Sequence, residues 1–211
     1  MTFTRVGNGP RVEPLHSLSD PRLAEAVDES FGRSWVLLAG TPPLQLERSA
    51  SMTRVLTGIA SPMCNGIYRA RFGGRDVGAR IEAALQPFAA RDLPASWWVG
   101  PGTRPSNLGR HLQDRGLRRD VVVPGMAIEL AELDPIDRSD AIDSSDPAPP
   151  GGPDSSITCE RVVNQRQLGL WVEIFQRVFD LPAPVPELFL SGFGRLGFDQ
   201  PNVRHYLATL A

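Results

Sequence analysis

The chain has 211 residues, of which 41% are hydrophobic, and a formal net charge of −2. This is enough to bury a core, and it permits one large domain or one domain with part of another. The small net charge gives no reason to expect nucleic acid or an anionic membrane as a partner. Lysine is absent, so a Schiff-base amine and a P-loop lysine are excluded. The arginine-rich, lysine-free composition is typical of a bacterial genome of high GC content.

The cysteines, the histidines and the lengths of the apolar runs exclude further classes of protein. Cys64 and Cys159 are too few for a disulfide framework. His16, His111 and His205 are far apart in sequence and form no short metal-ligand spacing, so no metal site is predicted. The N-terminus lacks the apolar core of a signal peptide, and no run of about 18 apolar residues exists. We therefore expect a cytoplasmic protein.

Composition divides the chain into three parts. Residues 133–156 consist mostly of Asp, Ser, Pro and Gly, and they predict a flexible acidic linker. The linker separates a body, residues 1–132, from a C-terminal segment, residues 157–211. In the body, Asp20 is predicted to cap a helix over 21–31. Residues 36–51 fit neither a helix pattern nor a strand pattern clearly, and residues 53–59 predict a strand.

Residues 64–130 form the most informative stretch. A strand over 64–72 is followed by a glycine-bearing loop, 73–80, which opens a helix that reaches about residue 90. A strand over 96–100, a helix over 104–116 and two closing strands, LRRDVVV and GMAIEL, complete the unit. A strand that turns through glycines into a helix N-terminus is a place where backbone N–H groups can hold a phosphate.

The C-terminal segment predicts one strand, ITCERVV, and two helices. Asn164 is expected to cap the first helix, and Pro186 to begin the second. The first helix has an apolar stripe at helical spacing, made of Leu168, Trp171, Val172, Phe175, Val178 and Phe179. About 55 residues of this kind are too few for an independent core. The segment therefore either packs on the body or begins a second domain that the chain does not contain.

The order and spacing of elements in 64–130 resemble the second half of the GNAT acyltransferase superfamily. SWWVGPGTRPSNLGRHLQDRGL and PGMAIEL are also similar to the N-terminal halves of tandem bacterial GNAT proteins, in which a degenerate first domain precedes an active second one. The resemblance implies an α/β (α+β) fold with a mixed, mostly antiparallel central sheet flanked by helices. It also implies that residues 157–211 are the start of a second, incomplete GNAT-like domain.

The family binds the pyrophosphate of acetyl-CoA with the motif Gln/Arg-x-x-Gly-x-Gly/Ala. The matching residues are Arg75, Gly78, Ala79 and Arg80, so the resemblance implies a degenerate loop in which Arg80 replaces the final small residue. Arg80 can obstruct the approach of the pyrophosphate or supply it with a positive charge. The alternative is an ordinary strand-to-helix turn that binds nothing. This alternative is favoured, because short motifs often match sequences that do not bind the ligand.

Other side chains of the unit are weaker candidates. Tyr68 is a possible acid that reprotonates a leaving thiolate, with core packing as the alternative. Trp97 and Trp98 point to opposite faces of one strand, and at least one of them is expected in the core. Asn65 and the two tryptophans are predicted to line a cleft. A Gly-x-Gly-x-x-Gly at 192–197 follows a helical pattern, so a loop at a helix end is favoured over a dinucleotide site.

Two hypotheses for function follow. In the first, the chain is a GNAT-like N-acyltransferase, which transfers an acyl group from acetyl-CoA to an amine of a small molecule or peptide and is weakly active or inactive alone. In the second, it is a non-catalytic GNAT-like module that binds a small molecule, a partner or another copy of itself. A homo-oligomer or a missing C-terminal GNAT domain is the expected partner, because the C-terminal helices carry apolar faces.

Overall fold

A computed structural model of the chain describes residues 15, 17–74, 76–129, 157–200 and 203–210. The fold is mixed α and β with a mostly antiparallel sheet. In chain order the elements are α1 (Leu23–Leu37), β1 (Gln45–Arg48), β2 (Thr53–Leu56), β3 (Gly66–Tyr68), α2 (Val77–Ala89), β4 (Ser96–Trp97), α3 (Leu108–Gln113), β5 (Ile157–Arg161), α4 (Gln165–Phe179), α5 (Pro184–Leu196) and β6 (Tyr206–Leu210).

The body contains a four-stranded sheet in the order β1-β2-β3-β4. β1 pairs with β2, and β2 with β3, in antiparallel register. β3 pairs with β4 in parallel, through Gly66 with Ser96 and Ile67 with Trp97. Parallel neighbours need a crossover connection, and α2 supplies it. The first strands of the sheet therefore form a hairpin, and the last two form a strand–helix–strand unit.

Two hydrophobic clusters cover opposite faces of this sheet. The α2-face cluster contains Leu56, Ile67, Ala70, Phe72, Ile81, Ala84, Phe88, Leu108 and Leu112. The α1-face cluster contains Leu38, Leu44, Val55, Ile59, Cys64, Tyr68, Leu181, Val185 and Leu188. Ile67 and Tyr68 are neighbours on β3 and belong to different clusters, as the alternation of side chains along a strand requires.

The C-terminal segment contains a two-stranded antiparallel sheet, β5 with β6, and two helices. Its own C-terminal cluster has Val162, Leu168 and Val172 at the centre. Asn164 caps α4, because its side chain accepts a hydrogen bond from Gln167 N at 3.0 Å, which confirms that prediction. Gly197 ends α5 with a φ of 80°. The loop expected at 192–197 is wrong for Gly192 and Gly194, which lie in the last turns of the helix.

Helix α5 joins the two parts of the molecule. Val185 and Leu188 are buried in the α1-face cluster beside Leu38 and Tyr68 of the body. Arg195 donates hydrogen bonds to the carbonyl oxygen of Ala39 at 2.6 Å and to Thr41 Oγ1 at 2.9 Å, next to the end of α1. The described C-terminal segment therefore packs on the body mainly through α5, with Leu181 before α5 and Phe175 of α4 also in contact with the α1-face cluster.

Several predicted elements differ from the structure. The closing strands predicted over 117–130 are wrong for the described residues 117–129, which form no strand, and Val121, Val122, Met126 and Ile128 are exposed. Helix α1 begins after Arg22 rather than after Asp20 and continues to Leu37. The predicted second C-terminal helix begins earlier, at Pro184. The predicted linker, 133–156, lies outside the described residues.

Candidate functional site

The start of α2 is the position at which the resemblance predicts a pyrophosphate loop. Asp76 caps the helix, and its Oδ1 accepts a hydrogen bond from Ala79 N at 2.9 Å. A carboxylate at a helix N-terminus suits the positive end of the helix dipole. It also occupies a donor that an incoming phosphate would use and adds a negative charge there. Arg75, the first residue of the motif, lies outside the described residues.

Gly78 provides room for an arginine side chain on the first turn of α2. A Cβ atom at this position would overlap the guanidinium of Arg115, which follows α3. Arg115 also donates to the carbonyl oxygen of His111 at 3.2 Å and lies 3.6 Å from the carboxylate of Glu82. Ala79 and Arg80 are exposed. The first turn of α2 therefore has one capping carboxylate and two nearby cationic side chains.

β3 and β4 separate just beyond their paired residues. Trp98 N donates to the carbonyl oxygen of Ile67 at 2.9 Å, and then the chain of β4 leaves the sheet. It returns at Arg104, whose N donates to Ala70 O at 2.9 Å and whose carbonyl oxygen accepts from Phe72 N at 2.8 Å. We call the interval between these pairings, residues 68–70 with residues 99–103, the β3–β4 split.

Acidic side chains from α1 fill this split. Glu25, Asp28 and Glu29 lie on one face of the helix, since they are three and four residues apart. A Cβ atom at Gly100 would overlap the Asp28 carboxylate, which also accepts a hydrogen bond from the backbone N–H of Gly102. The loop that leaves the sheet is therefore held on α1 by a carboxylate.

Two arginines on the continuation of β3 face the same acids. Arg69 lies 3.0 Å from the Glu29 carboxylate, and Arg71 forms an ion pair with Glu25. Arg71 also donates through Nε to the carbonyl oxygen of Gly102 at 3.2 Å. Arg69 has a φ of 55°, in the left-handed region that non-glycine residues adopt at a cost of about 1–3 kcal/mol. The ion pairs and the packed helix hold this residue in place.

Burial changes the proton affinity of Asp28. Desolvation raises the pKa of the Asp28 carboxyl above its ordinary value, and the nearby charges of Glu29 and Glu25 raise it further. The hydrogen bond from Gly102 and the charge of Arg71 oppose this rise. A carboxyl group with a raised pKa in a strand split can act as a proton acceptor or donor, provided that a substrate reaches it.

Tyr68 lies in the core rather than at an open surface. Its side chain is buried under α1, where it packs on Gly32, and its ring stacks on Trp98 with centroids 6.2 Å apart. Burial raises the pKa of the Tyr68 phenol above its ordinary value, although hydrogen bonds from the indoles of Trp35 and Trp98 oppose the rise. A phenol with a raised pKa is a weaker acid, so this environment favours the packing role.

Cys64 belongs to the same buried cluster. Burial raises the pKa of the Cys64 thiol, and a hydrogen bond with Ser61 opposes the rise. Because the thiolate is the nucleophile, a thiol in this environment is unreactive.

The predicted cleft-lining residues lie in three different environments. Trp97 packs edge-on against Phe72 on the α2 face, and Trp98 packs against Phe31 and Tyr68 on the α1 face, so the two indoles point to opposite faces as predicted. Asn65 is 0% exposed and lines no surface cleft.

The Asn65 amide instead holds two loops together. Its Oδ1 accepts from Thr57 N at 3.0 Å, and its Nδ2 donates to the carbonyl oxygens of Ile59, Ser61 and Pro94 at 2.7–3.1 Å. A buried amide with this many partners is expensive to remove, because each broken bond leaves a buried polar group unpaired. This explains the Asn-Gly pair at the head of β3 as a structural feature.

Sequence reasoning missed the acidic face of α1. Its signal was present, since Glu25, Asp28 and Glu29 have the spacing of one helix face and Arg69 and Arg71 alternate along a strand. What the sequence could not supply was the contact between them, which joins residues 40 and 46 positions apart.

Comparison of the chain with protein-family models, curated proteins and solved structures gave no match. Among the described residues, no group of three or more His, Cys, Asp or Glu side chains is arranged to hold a metal ion. No helix in the described part of the chain is long and apolar enough to cross a membrane. The site must therefore be interpreted from its own geometry.

Proposed function

We propose that this chain is a GNAT-like relative of the N-acyltransferases whose body serves as a binding or structural module and is weakly active or inactive as an enzyme. The family reaction is attack of a substrate amine on acetyl-CoA, with the thioester held in a cleft between splayed strands. One observation carries the proposal. The β3–β4 split, which this proposal takes as the counterpart of that cleft, is filled by Asp28 and closed again by the pairing of Arg71 with Arg104.

A thioester arm that entered this split would meet two obstacles. It would displace a carboxylate that accepts a backbone hydrogen bond from Gly102, together with the ion pairs of Arg69 and Arg71. It would also separate the strands where Arg104 N and Ala70 O are bonded. The side chains of Glu25, Glu29, Arg69 and Arg71 are 25–41% exposed, so each ion pair contributes only about 0–1 kcal/mol, and cofactor binding would have to offset their summed loss together with that of the strand hydrogen bond.

The order of elements supports the GNAT-like part of the proposal. An antiparallel hairpin leads into a parallel pair joined by a helix, with the split just beyond the pairing. The C-terminal segment has the order β5-α4-α5-β6, with β5 and β6 antiparallel. The resemblance predicts this opening for a second domain of the same kind. An acyl-CoA site and its amine acceptor would then belong to such a second domain rather than to the body.

A second candidate is a working acyl-CoA site in the body. The observation in its favour is the pair of arginines at the start of α2, with Arg115 lying on Gly78 and Arg80 exposed nearby. Guanidinium groups form strong charge-assisted hydrogen bonds with phosphate. In this candidate they replace the backbone approach that a small residue at position 80 would permit.

Thermal unfolding with acetyl-CoA separates the two candidates. A ligand at about 100 times its dissociation constant adds about 2.7 kcal/mol of stability, so binding produces a clear rise in Tm. We expect no rise for the whole chain at millimolar acetyl-CoA. A rise that is lost in Arg80→Ala and Arg115→Ala, but kept in Arg110→Ala on the exposed side of α3, would replace the first candidate with the second.

A further inference from the structure

The turn that closes the β3–β4 split is longer than the strand it faces. Five residues, 99–103, lie between Trp98, whose N donates to Ile67 O, and Arg104, whose N donates to Ala70 O. On the β3 side, two residues lie between Ile67 and Ala70. The surplus residues form a turn that does not need to lie in the sheet. The 99–103 turn can therefore change its position while the sheet hydrogen bonds on both sides of it stay intact.

The 99–103 turn is bonded within itself and attached to α1. Gly100 N donates to Thr103 Oγ1 at 2.9 Å, and Thr103 N donates to Gly100 O at 3.0 Å. The Asp28 carboxylate accepts a hydrogen bond from the Gly102 N–H and lies where a Cβ atom at Gly100 would be. The absence of a side chain at Gly100 lets the backbone come this close to the helix. The turn is thus one unit, and Asp28 holds it at two of its residues.

Arg71 and Glu25 attach the turn a second time, through an ion pair. Arg71 Nε donates to Gly102 O at 3.2 Å, and the Arg71 guanidinium pairs with the Glu25 carboxylate. These two side chains are 39% and 41% exposed, so solvent screens the attraction between them. The Asp28 carboxylate instead contacts the backbone of the turn directly. The position of the turn should therefore depend more on Asp28 than on the ion pair.

The closed split leaves one buried donor unused. Among the described residues, Arg69 Nε is buried and has no hydrogen-bond partner, although Nη2 of the same side chain lies 3.0 Å from the Glu29 carboxylate. Arg69 also has a φ of 55°, in the left-handed region. Unpaired buried donors and strained backbone cost stability, and strained residues are concentrated at functional sites. α1 thus fills the split without satisfying all of its polar groups, and an entering carbonyl oxygen can accept from Arg69 Nε.

We propose that α1 is an autoinhibitory element of the body, whose Asp28 contact with the 99–103 turn keeps the β3–β4 split closed to the extended arm of an acyl-CoA. This inference rests on the proposed function, which takes the split as the counterpart of the acyl-CoA cleft. Once the Asp28 contact is removed, the turn can move off α1, and the first of the two obstacles to the arm is lost. The hydrogen bond between Arg104 N and Ala70 O remains as the second.

Binding of acetylpantetheine, which is the acyl-CoA arm without its nucleotide, tests this closure. The probe carries no phosphate, so the result does not depend on the residues at the start of α2. We expect Asp28→Ala to bind acetylpantetheine with a dissociation constant at least about tenfold lower than that of the wild type, measured by titration of amide NMR signals. Ser30→Ala, on the exposed side of α1, is the matched control and should bind as the wild type does.

The result distinguishes failure of this inference from failure of the proposed function. Equal affinity of the wild type and Asp28→Ala for acetylpantetheine overturns the autoinhibitory role and leaves the proposed function in place. A rise in the Tm of the wild type with acetyl-CoA, lost in Arg80→Ala and Arg115→Ala, contradicts the proposed function instead. Tighter binding by Asp28→Ala and by Ser30→Ala alike also overturns the role of Asp28.

Gly100→Ala gives a second test that leaves no gap in the helix contact. The added Cβ atom would overlap the Asp28 carboxylate, so the turn should move off α1. Hydrogen exchange at the Gly102 amide should then quicken about tenfold or more, and acetylpantetheine should bind more tightly. Gly109→Ala on α3, where a Cβ atom meets open space, is the matched control and should change neither quantity.

The double variant Asp28→Ala with Gly100→Ala completes the test. Without the carboxylate there is nothing for the Gly100 Cβ atom to overlap at this point, so Gly100→Ala should add little to the effect of Asp28→Ala. Effects that do not add therefore support the proposal. Full additivity of the two substitutions, or Gly100→Ala that leaves both exchange and binding unchanged, overturns it.

Discussion

The body and the C-terminal segment use similar elements but bury their sheets differently. The body covers both faces of a four-stranded sheet, with the α1-face cluster on one side and the α2-face cluster on the other. The segment has two strands, and four of the five residues of β6 are exposed. A sheet of two strands cannot stabilise itself in water. The difference shows that the segment depends on surfaces outside its own sheet.

Helix α5 shows how that dependence is met. Val185 and Leu188 on α5 belong to the α1-face cluster of the body, and Phe189 and Phe193 on the same helix pack against both this cluster and the C-terminal cluster. One helix therefore contributes apolar surface to two cores. The body and the segment should unfold together if this shared helix couples them.

Leu188→Ala tests that coupling and has the largest expected effect. Leu188 is 2% exposed, and truncation of a buried leucine typically costs about 2–5 kcal/mol in unfolding free energy. Because the cavity lies in the shared cluster, hydrogen exchange should quicken both at β2 and at β5. Urea unfolding gives the free energy, and hydrogen exchange by mass spectrometry locates the loss.

Leu170→Ala is the control for that change. Leu170 is on α4 and is 43% exposed, so its truncation should cost less than about 1 kcal/mol. If Leu188→Ala quickens exchange only in the C-terminal segment, the shared-core interpretation fails and the body is stable without α5.

Two glycines in the C-terminal helices differ in how closely they approach the body. A Cβ atom at Gly192 of α5 would lie 2.5 Å from Leu38 Cδ2 and 3.3 Å from Thr41 Oγ1, whereas Gly169 of α4 has open space. Gly192→Ala should cost about 1–3 kcal/mol through overpacking against the body. Gly169→Ala should instead stabilise the protein by about 0.5–1 kcal/mol, because alanine is the better helix former.

Unfolding in urea measures both variants on one scale. The close approach of α5 to α1 is the reason for the predicted difference in sign. If Gly192→Ala stabilises the protein as much as Gly169→Ala does, α5 does not press against Leu38. The junction between body and segment would then need another explanation.

The sequence predicted those parts of the fold that depend on short-range patterns. The apolar spacing of Ile81, Ala84 and Phe88 placed α2, and Asn164 placed the start of α4. The prediction of two closing strands over 117–130 was wrong because strand formation depends on long-range contacts. Met126 and Ile128 alternate as in a strand, but alternation produces a strand only where a partner edge and a covering layer exist, and both side chains are exposed.

The candidate site was less predictable than the fold. The resemblance singles out Gly78 and Arg80, and a Cβ atom at Gly78 would overlap the guanidinium of Arg115, a contact that the motif does not predict. Asp28 was missed because its role depends on Gly100 and Gly102, which reach it only after β4 leaves the sheet. A carboxylate on an amphipathic helix is usually a solvated side chain, and nothing local distinguishes this one.

Asp28→Asn has the smallest expected effect and tests whether the split is closed by a charged group. The folded-state pKa of Asp28 is raised above its ordinary value of 3.8, so the folded chain binds a proton more tightly than the unfolded chain. The contribution of this group to stability is therefore greatest at low pH, and it falls as pH rises through the folded-state pKa. The asparagine side chain can keep the hydrogen bond from Gly102 without the cost of burying a negative charge.

The unfolding free energy of the wild type minus that of Asp28→Asn should accordingly decrease as pH rises from about 3.8 and become constant at neutral pH. Asp114→Asn, at the exposed end of α3, controls for the loss of one negative charge. A difference that increases with pH would mean that Arg71 and the Gly102 N–H stabilise the carboxylate more than burial and the charges of Glu25 and Glu29 oppose it. The split would then be held closed by an ion-pair network, and a cofactor would meet a stronger barrier than burial alone provides.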